Sequence, residues 1–328
     1  MSPIVDIRDL RVRFTGERAV YALNGVDITL DQGEVLGLLG ESGSGKSVTL
    51  KALLRLLPPR RTQISGSINV SGHDVLSMDS AALEAFRGGV VSMIFQEPML
   101  ALDPVYTIGD QIAETIVQHR DASWTNARQR ALELLESVRI PSARQRLDAY
   151  PHEMSGGMRQ RAMIALALSC EPKVLLADEP TTALDATVQI QILLLLRELQ
   201  RQLGMAMIFV THDIGVAVEI SDRLAVMYAG RIVETGTVRE VVKAPVHPYA
   251  RGLLTSTIRG ARRGERLAAI PGAPPRLDQL PSSCSFAPRC TLADAACRQG
   301  EIPMVELAPG RKARCVKLST EVIAQSNM

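Results

Sequence analysis

Residues Gly40-Glu41-Ser42-Gly43-Ser44-Gly45-Lys46-Ser47 follow the spacing G-x-x-x-x-G-K-S, and what flanks them leaves few folds open. Before them runs Val35-Leu36-Gly37-Leu38-Leu39, a continuous apolar stretch that reads as a buried strand. After them, from Ser47 to Leu57, apolar residues repeat at helical spacing until Pro58-Pro59. Strand, glycine loop and helix in that order make a P-loop. Its glycines let the backbone curl so that N–H groups and a helix N-terminus surround a β-phosphate. Lys46 then reaches the β and γ oxygens, and the Ser47 oxygen is placed for Mg²⁺.

The rest of the chain reads as α/β. At 328 residues it suits one main domain of roughly 250 residues plus an appendage. Only 3% of residues are aromatic, against 46% hydrophobic and 22% charged, which argues against disorder and against a ring-stacking nucleic-acid binder. The apolar stretches Val35–Leu39, Ala162–Leu168 and Ile192–Leu196 fall far short of the roughly 18 residues of a membrane span. The first residues lack the basic and apolar regions of a signal peptide, so the expected compartment is the cytoplasm. Net charge is +2, yet residues 250–317 hold twelve Lys/Arg against five Asp/Glu. That basic tail reads as a solvated surface, with anionic lipid or a buried anionic cofactor as sharper options.

Two alternating runs, Ile7–Phe14 and Gly25–Leu30, predict antiparallel strands, and a further strand pair is expected around Ile68–Val70 and Val91–Phe95. Residues 97–153 turn helical, with amphipathic stretches at Ile108–His119 and Thr125–Val138, as an inserted lobe would. The pattern then alternates: helix Gly157–Ser169, strand Val174–Ala177, helix Val188–Leu203, strand Met207–Thr211, helix Ile214–Ile220. From Ala261 the composition shifts to Pro, Gly, Arg and Cys, marking a small separate module.

The strand at Val174 ends in Asp178-Glu179-Pro180, two carboxylates at the carboxyl end of a parallel strand, where such sheets bind ligands. Asp178 suits the outer shell of Mg²⁺ and Glu179 suits a general base for an attacking water.

Met154-Ser155-Gly156-Gly157-Met158-Arg159-Gln160-Arg161, one helix and one strand ahead of Asp178, resembles the signature of ABC ATPases, with Met154 where the common form has Leu. The resemblance implies a P-loop ABC head with a parallel sheet core, an antiparallel β subdomain and an inserted helical subdomain. It also implies that Ser155, Gly156 and Gly157 contact the ATP held by a second subunit. Further markers follow in family order: Gln96 after Val91–Phe95, Ala183-Leu184-Asp185 after Pro180, and His212 after Met207–Thr211. By resemblance, Gln96 links Mg²⁺ and the attacking water to the helical lobe, Asp185 is the D-loop contact to the partner, and His212 holds the γ-phosphate. In this family an aromatic near the start stacks on adenine; Phe14 fills that slot, with Tyr21 as the rival.

The tail narrows the resemblance. Val246-His247-Pro248-Tyr249-Ala250-Arg251-Gly252-Leu253-Leu254, Ile270-Pro271-Gly272 and Cys284-Ser285-Phe286-Ala287-Pro288-Arg289-Cys290 look like the carboxy-terminal extension of oligopeptide, dipeptide and nickel importer ATPases. The implied division is an ATPase head over 1–260, its helical subdomain at about 97–153, and an extension over 261–328. Cys284, Cys290, Cys297 and Cys315 lack the C-x2-C pairs of zinc ribbons, and a reducing cytosol disfavours disulfides. Several members of this importer group carry an iron–sulfur cluster in this region, so the resemblance implies a [4Fe–4S] group, with zinc or reduced thiols as the alternatives. Arg289, Arg298, Arg311, Lys312 and Arg314 would offset its charge, while Cys170 reads as a small packed residue.

The implied function is ATP hydrolysis that drives uptake of a solute through two membrane permeases. A second ATPase subunit, identical or homologous, and indirectly an extracytoplasmic solute-binding protein would be partners, at the cytoplasmic face of the inner membrane. Peptides are the expected cargo, with nickel, opines or small sugars as alternatives. A soluble ABC protein acting on ribosomes or DNA is the rival, but the chain has one P-loop and no sustained heptad repeat. A redox or purely structural protein built on the cysteines would leave the ATP motifs unexplained.

Overall fold

The computed structural model describes residues 2–182, 184–256 and 269–318. The expected boundary at 260–261, and Ala183 of the Ala183-Leu184-Asp185 motif, lie outside them. Among the described residues the strands are β1 (Val5–Phe14), β2 (Val20–Leu30), β3 (Val35–Leu39), β4 (Thr62–Val70), β5 (His73–Asp74), β6 (Val91–Ile94), β7 (Val174–Asp178), β8 (Ala206–Thr211), β9 (Arg223–Tyr228), β10 (Arg231–Thr237), β11 (Val305–Ala308) and β12 (Arg311–Ala313). The chain divides into two compact units, one built on residues 70–209 with 1–4 and 30–34, the other on 5–29, 35–69 and 210–328.

In the first unit the strand order is β8-β7-β6, with β6 and β7 parallel and Val91 beside Val174. Every residue of β7 is buried, as its unbroken apolar run requires of a strand covered on both faces. Helices Ile108–Arg120 and Trp124–Ser137 occupy the lobe. Each starts at a residue whose hydroxyl accepts a backbone N–H three positions on: Thr107 from Asp110 and Ser123 from Asn126. Ile108, Ile112, Ala113 and Ile116 form the buried stripe of the first, at the spacing that a helical face demands.

In the second unit the order is β11-β12-β10-β9-β3, and separately β2-β1-β4. So β4 neighbours β1 and β6 pairs with β7, and the strand pair expected of Ile68–Val70 and Val91–Phe95 does not form. Strands β9 to β12 escape the sequence reading. The β9–β10 hairpin turns on Ala229 (φ 48°) and Gly230 (φ 76°), a pair with both φ positive, and alanine there hides the usual Asn-Gly signal. The helix after the P-loop also differs: it spans Lys46–Leu53 and stops before Pro58. Arg55 takes φ 48° while its N–H reaches the Ala52 carbonyl and Leu56 N–H reaches Lys51, a C-terminal cap for which glycine is the ordinary marker.

Glu234 on β10 is fully buried and accepts backbone N–H bonds from Val246 (2.9 Å) and His247 (2.7 Å), which fixes the entry to helix Pro248–Thr255. Burial pushes its carboxyl up to about 7, against the pull of those donors and of Arg311.

The loop 40–47 owes its shape to its glycines and to the second unit around it. Gly45 sits at φ 109°, and a Cβ there would lie 2.8 Å from Leu23 Cδ2 and 2.9 Å from the Ala22 carbonyl oxygen. A Cβ on Gly40 would lie 2.3 Å from the Met227 carbonyl oxygen, whereas one on Gly43 (φ 77°) would meet nothing within 4 Å. The hairpin turn closes the loop from outside, since Gly230 N–H donates to the Ser44 carbonyl at 2.8 Å.

Two outcomes are expected. Gly45→Ala, which combines strain with overlap, lowers stability by about 3 kcal/mol or more, and Gly43→Ala by about 1 kcal/mol, in urea unfolding. For Glu234, the folded pKa lies above the unfolded one, so its contribution is full below about 4.5 and is lost as pH rises through about 7. Between pH 5 and pH 8 the wild type should lose about 2 kcal/mol more stability than Glu234→Gln.

Candidate functional site

The P-loop side chains are arranged around the loop's own carbonyls. Lys46 is buried, and its Nζ donates to Gly40 O at 2.8 Å and Glu41 O at 3.1 Å, arching back over the loop. Thr49 Oγ1 donates to Gly45 O at 3.1 Å and pins the first helical turn. The Ser44 hydroxyl is buried with no hydrogen-bond partner among the described residues, an orphan polar atom inside a phosphate-type loop. Ser47 lies half-buried in the first turn of the helix, and Ser42 and Gly43 are exposed at the loop's tip.

In the first unit β7 delivers Asp178, buried, and then Glu179, half-buried. Glu179 adopts φ 46°, a left-handed conformation unusual for a non-glycine residue and one found at sites that hold a side chain in a set direction. Thr182 Oγ1 donates to Glu179 Oε2 at 3.1 Å, and Gln96 Nε2 lies 3.5 Å from the same oxygen. The structure therefore brings together Gln96 and Glu179, which are 83 residues apart.

Three other expected residues sit at helix starts. Ser155 caps helix Gly156–Leu168, its Oγ accepting Met158 N–H at 3.4 Å, and leaves Gly156 exposed at the positive end of a 13-residue helix. A Cβ on Gly157 would lie 3.0 Å from Val188 Cγ1, so this glycine also sets how closely helix Ala186–Leu203 packs. Asp185 is exposed and caps that second helix through Val188 N–H at 2.9 Å. His212, in the second unit, is exposed just after β8, beside Asp213, which caps helix Ile214–Ile220. Phe14 is half-buried at the end of β1, while Tyr21 is exposed with the Arg13 guanidinium 5.4 Å from its ring centre.

The four tail cysteines line one pocket with His247, Phe286, Ile302 and Lys317. All five cysteines of the chain are unpaired thiols. Burial pushes the thiols of Cys284 and Cys315 up, and His247, buried and neutral, falls to about 3. No group of three or more His, Cys, Asp or Glu among the described residues is arranged to hold a single metal ion. Of the expected basic screen, Arg289 pairs with Glu41 and Arg311 donates to the Ala244 carbonyl, while Arg314 donates to the carbonyl of Ile302, which lines the cysteine pocket. Cys170, as expected, is packed, with its thiol near the Thr115 carbonyl.

Sequence reading missed Tyr228, Tyr249, Gly230 and the Arg289–Glu41 pair. Tyr249 OH accepts the Glu41 N–H at 2.9 Å, and Arg289 reaches the Glu41 carboxylate at 2.7 Å. Tyr249 and Arg289 lie 208 and 248 residues from Glu41, beyond any spacing signal.

Among the described residues no helix is long and apolar enough to cross a membrane. The ABC transporter family matches residues 23–182, and the C-terminal region of oligopeptide/dipeptide transporters matches 233–297. A relative from Brucella melitensis, named a peptide import ATP-binding protein, is 51% identical over 96% of this chain and 97% of its own length. One from Sinorhizobium fredii, named a peptide ABC transporter ATP-binding protein, is 47% identical over 98% of this chain and 96% of its own. Among solved structures, the dimeric ATP-binding cassette MJ0796 bound to ADP and Pi superposes with TM-score 0.64 at 29% identity, covering 72% of this chain and 99% of that one. With the glycine loop, the capped signature helix and the β7 carboxylates in their elements, and relatives about half identical along nearly the whole length, the chain belongs to the ATP-binding subunits of ABC transporters, in the branch with the oligopeptide/dipeptide C-terminal region.

Proposed function

We propose that this chain hydrolyses ATP to energise uptake of di- or oligopeptides through two membrane permeases. The observation that carries the ATP reading is the loop 40–47, folded between strand and helix with a buried lysine and an unpartnered buried hydroxyl at Ser44. The peptide assignment rests on the relatives' names and on the matched C-terminal region.

In this reading MgATP binds with its β- and γ-phosphates on the N–H groups of Gly40–Ser47, and Lys46 turns from the Gly40 and Glu41 carbonyls to the phosphate oxygens. Ser47, Asp178 and Gln96 serve the Mg²⁺ of the substrate. Glu179 takes the proton of the attacking water, its carboxylate oriented by Thr182 and Gln96, and His212 donates to the γ-phosphate. Phe14 stacks on adenine, with Tyr21 as the alternative. The exposed start of helix Gly156–Leu168, with Ser155, Gly156 and Gly157, completes the ATP site of a second ATPase subunit, and Asp185 stands at the same junction. Gln96 leads into a segment that leaves Met99, Val105 and Tyr106 exposed, apolar groups suited to docking a permease.

The domain assignment that accompanies this reading is a head over 1–260 with its helical lobe at about 97–153, and an extension over 261–328. The protein would act peripherally at the cytoplasmic face of the inner membrane, fed by an extracytoplasmic solute-binding protein. Cys284, Cys290, Cys297 and Cys315 would hold a [4Fe–4S] cluster; four thiols lining one pocket are the donor type such a cluster takes. Such a group would supply a covalent tie between the tail's segments.

Glu179→Gln, assembled with its permeases, should lose ATP turnover by about 10²- to 10⁴-fold while still binding MgATP. Wild-type complex that turns over no ATP would sink the ATPase reading. Cells carrying Lys46→Ala should lose uptake of labelled di- and tripeptides and keep that of nickel, and the reverse pattern would reassign the cargo.

A further inference from the structure

Glu41 places a carboxylate in the loop that this reading assigns to the ATP phosphates, a charge of the wrong sign for such a ligand. The tail answers it. Arg289 Nη1 donates to Glu41 Oε2 at 2.7 Å and Nη2 to Oε1 at 3.0 Å, a two-pronged pair whose guanidinium side chain is only 5% exposed. The guanidinium is itself held: Nε donates to the Pro271 carbonyl at 2.9 Å, and Nη1 lies 3.4 Å from the Tyr228 hydroxyl.

The main chain of Glu41 is fixed as firmly as its side chain. Its N–H donates to the Tyr249 hydroxyl, and its carbonyl accepts from Lys46 Nζ and from Ser44 N–H at 3.2 Å. Tyr228, Tyr249 and Phe286 pack ring against ring at 4.5, 5.3 and 5.4 Å, and the turn Ala287–Arg289 follows directly from Phe286. That turn lies between Cys284 and Cys290, so the thiol pocket and the P-loop share one support.

We propose that Arg289 is a positioning residue that acts on the nucleotide site through Glu41: it cancels the carboxylate's charge, so that the P-loop presents no uncompensated anion to the phosphates. ATP affinity then depends on the tail. The inference rests on the ATP-site reading of loop 40–47, and it makes the C-terminal region part of that site.

The test measures MgATP affinity of the full chain with a fluorescent ATP analogue, together with thermal unfolding, and KM and kcat in the permease complex. Arg289→Met should weaken binding by about tenfold, raising KM with kcat little changed, because the carboxylate is left uncompensated. Adding Glu41→Gln to Arg289→Met should recover most of that loss, bringing the double variant to within about threefold of Glu41→Gln alone. A merely structural pair would lower the unfolding temperature in both single variants without this recovery of affinity. Should Arg289→Met fail to fold, Arg289→Lys should show a smaller loss, again reversed by Glu41→Gln. Unchanged affinity in the Arg289 variants, or a loss that Glu41→Gln does not reverse, overturns the inference while wild-type binding stands. Wild type that binds no MgATP would overturn the ATP-site reading itself.

Discussion

The backbone curl of residues 40–47 is the constraint on which the second unit is organised. A loop that aims several N–H groups inward cannot be built from ordinary residues, and at Gly45 both the φ of 109° and the contacts with Leu23, Ala22 and Met227 forbid a side chain. Those contacts come from β2 and from the end of β9, so the loop is pressed into shape by strands remote in sequence. The β9–β10 turn adds a hydrogen bond to Ser44, and Glu234 on β10 orders the segment that carries Tyr249 to Glu41. A change in any of these supports reaches the loop through main-chain geometry and leaves its motif intact.

The first unit solves a different problem, which is to hold a carboxylate ready without letting it collapse onto its own strand. The buried run of β7 fixes where the strand ends, and the left-handed φ of Glu179 turns the chain there. Thr182 and Gln96 then share one carboxylate oxygen. The capped helices at Ser155 and Asp185 show how one side chain can serve local structure and still stand at an exposed helix end.

The tail is joined to the second unit by main chain and by charge. β12 pairs antiparallel with β10, Glu234 beside Ala313, and Arg289 crosses to Glu41. Its cysteines face a common pocket, while the arginines near them in sequence are turned to carbonyls and to Glu41. Charge proximity along the chain was a poor guide for Arg289 and Arg311, because a long guanidinium side chain goes to whichever acceptor its fold presents.

Sequence alone determined the features whose physics is local. The P-loop spacing, the apolar run of β7 before two acids, the Ser-Gly-Gly helix start and the helical periodicity of residues 108–138 each follow from steric rules acting over a few residues. Only tertiary structure decided the hairpin at Ala229-Gly230, the early helix stop at Arg55, the pairing of β4 with β1, and the meeting of Gln96 with Glu179. It also decided the brace of Arg289, Tyr228 and Tyr249 on Glu41. Those depend on contacts across tens to hundreds of residues, or on positive φ angles carried by residues other than glycine. The first have no local pattern because the partner lies on another element, and the second lack glycine, the residue that ordinarily marks a positive φ.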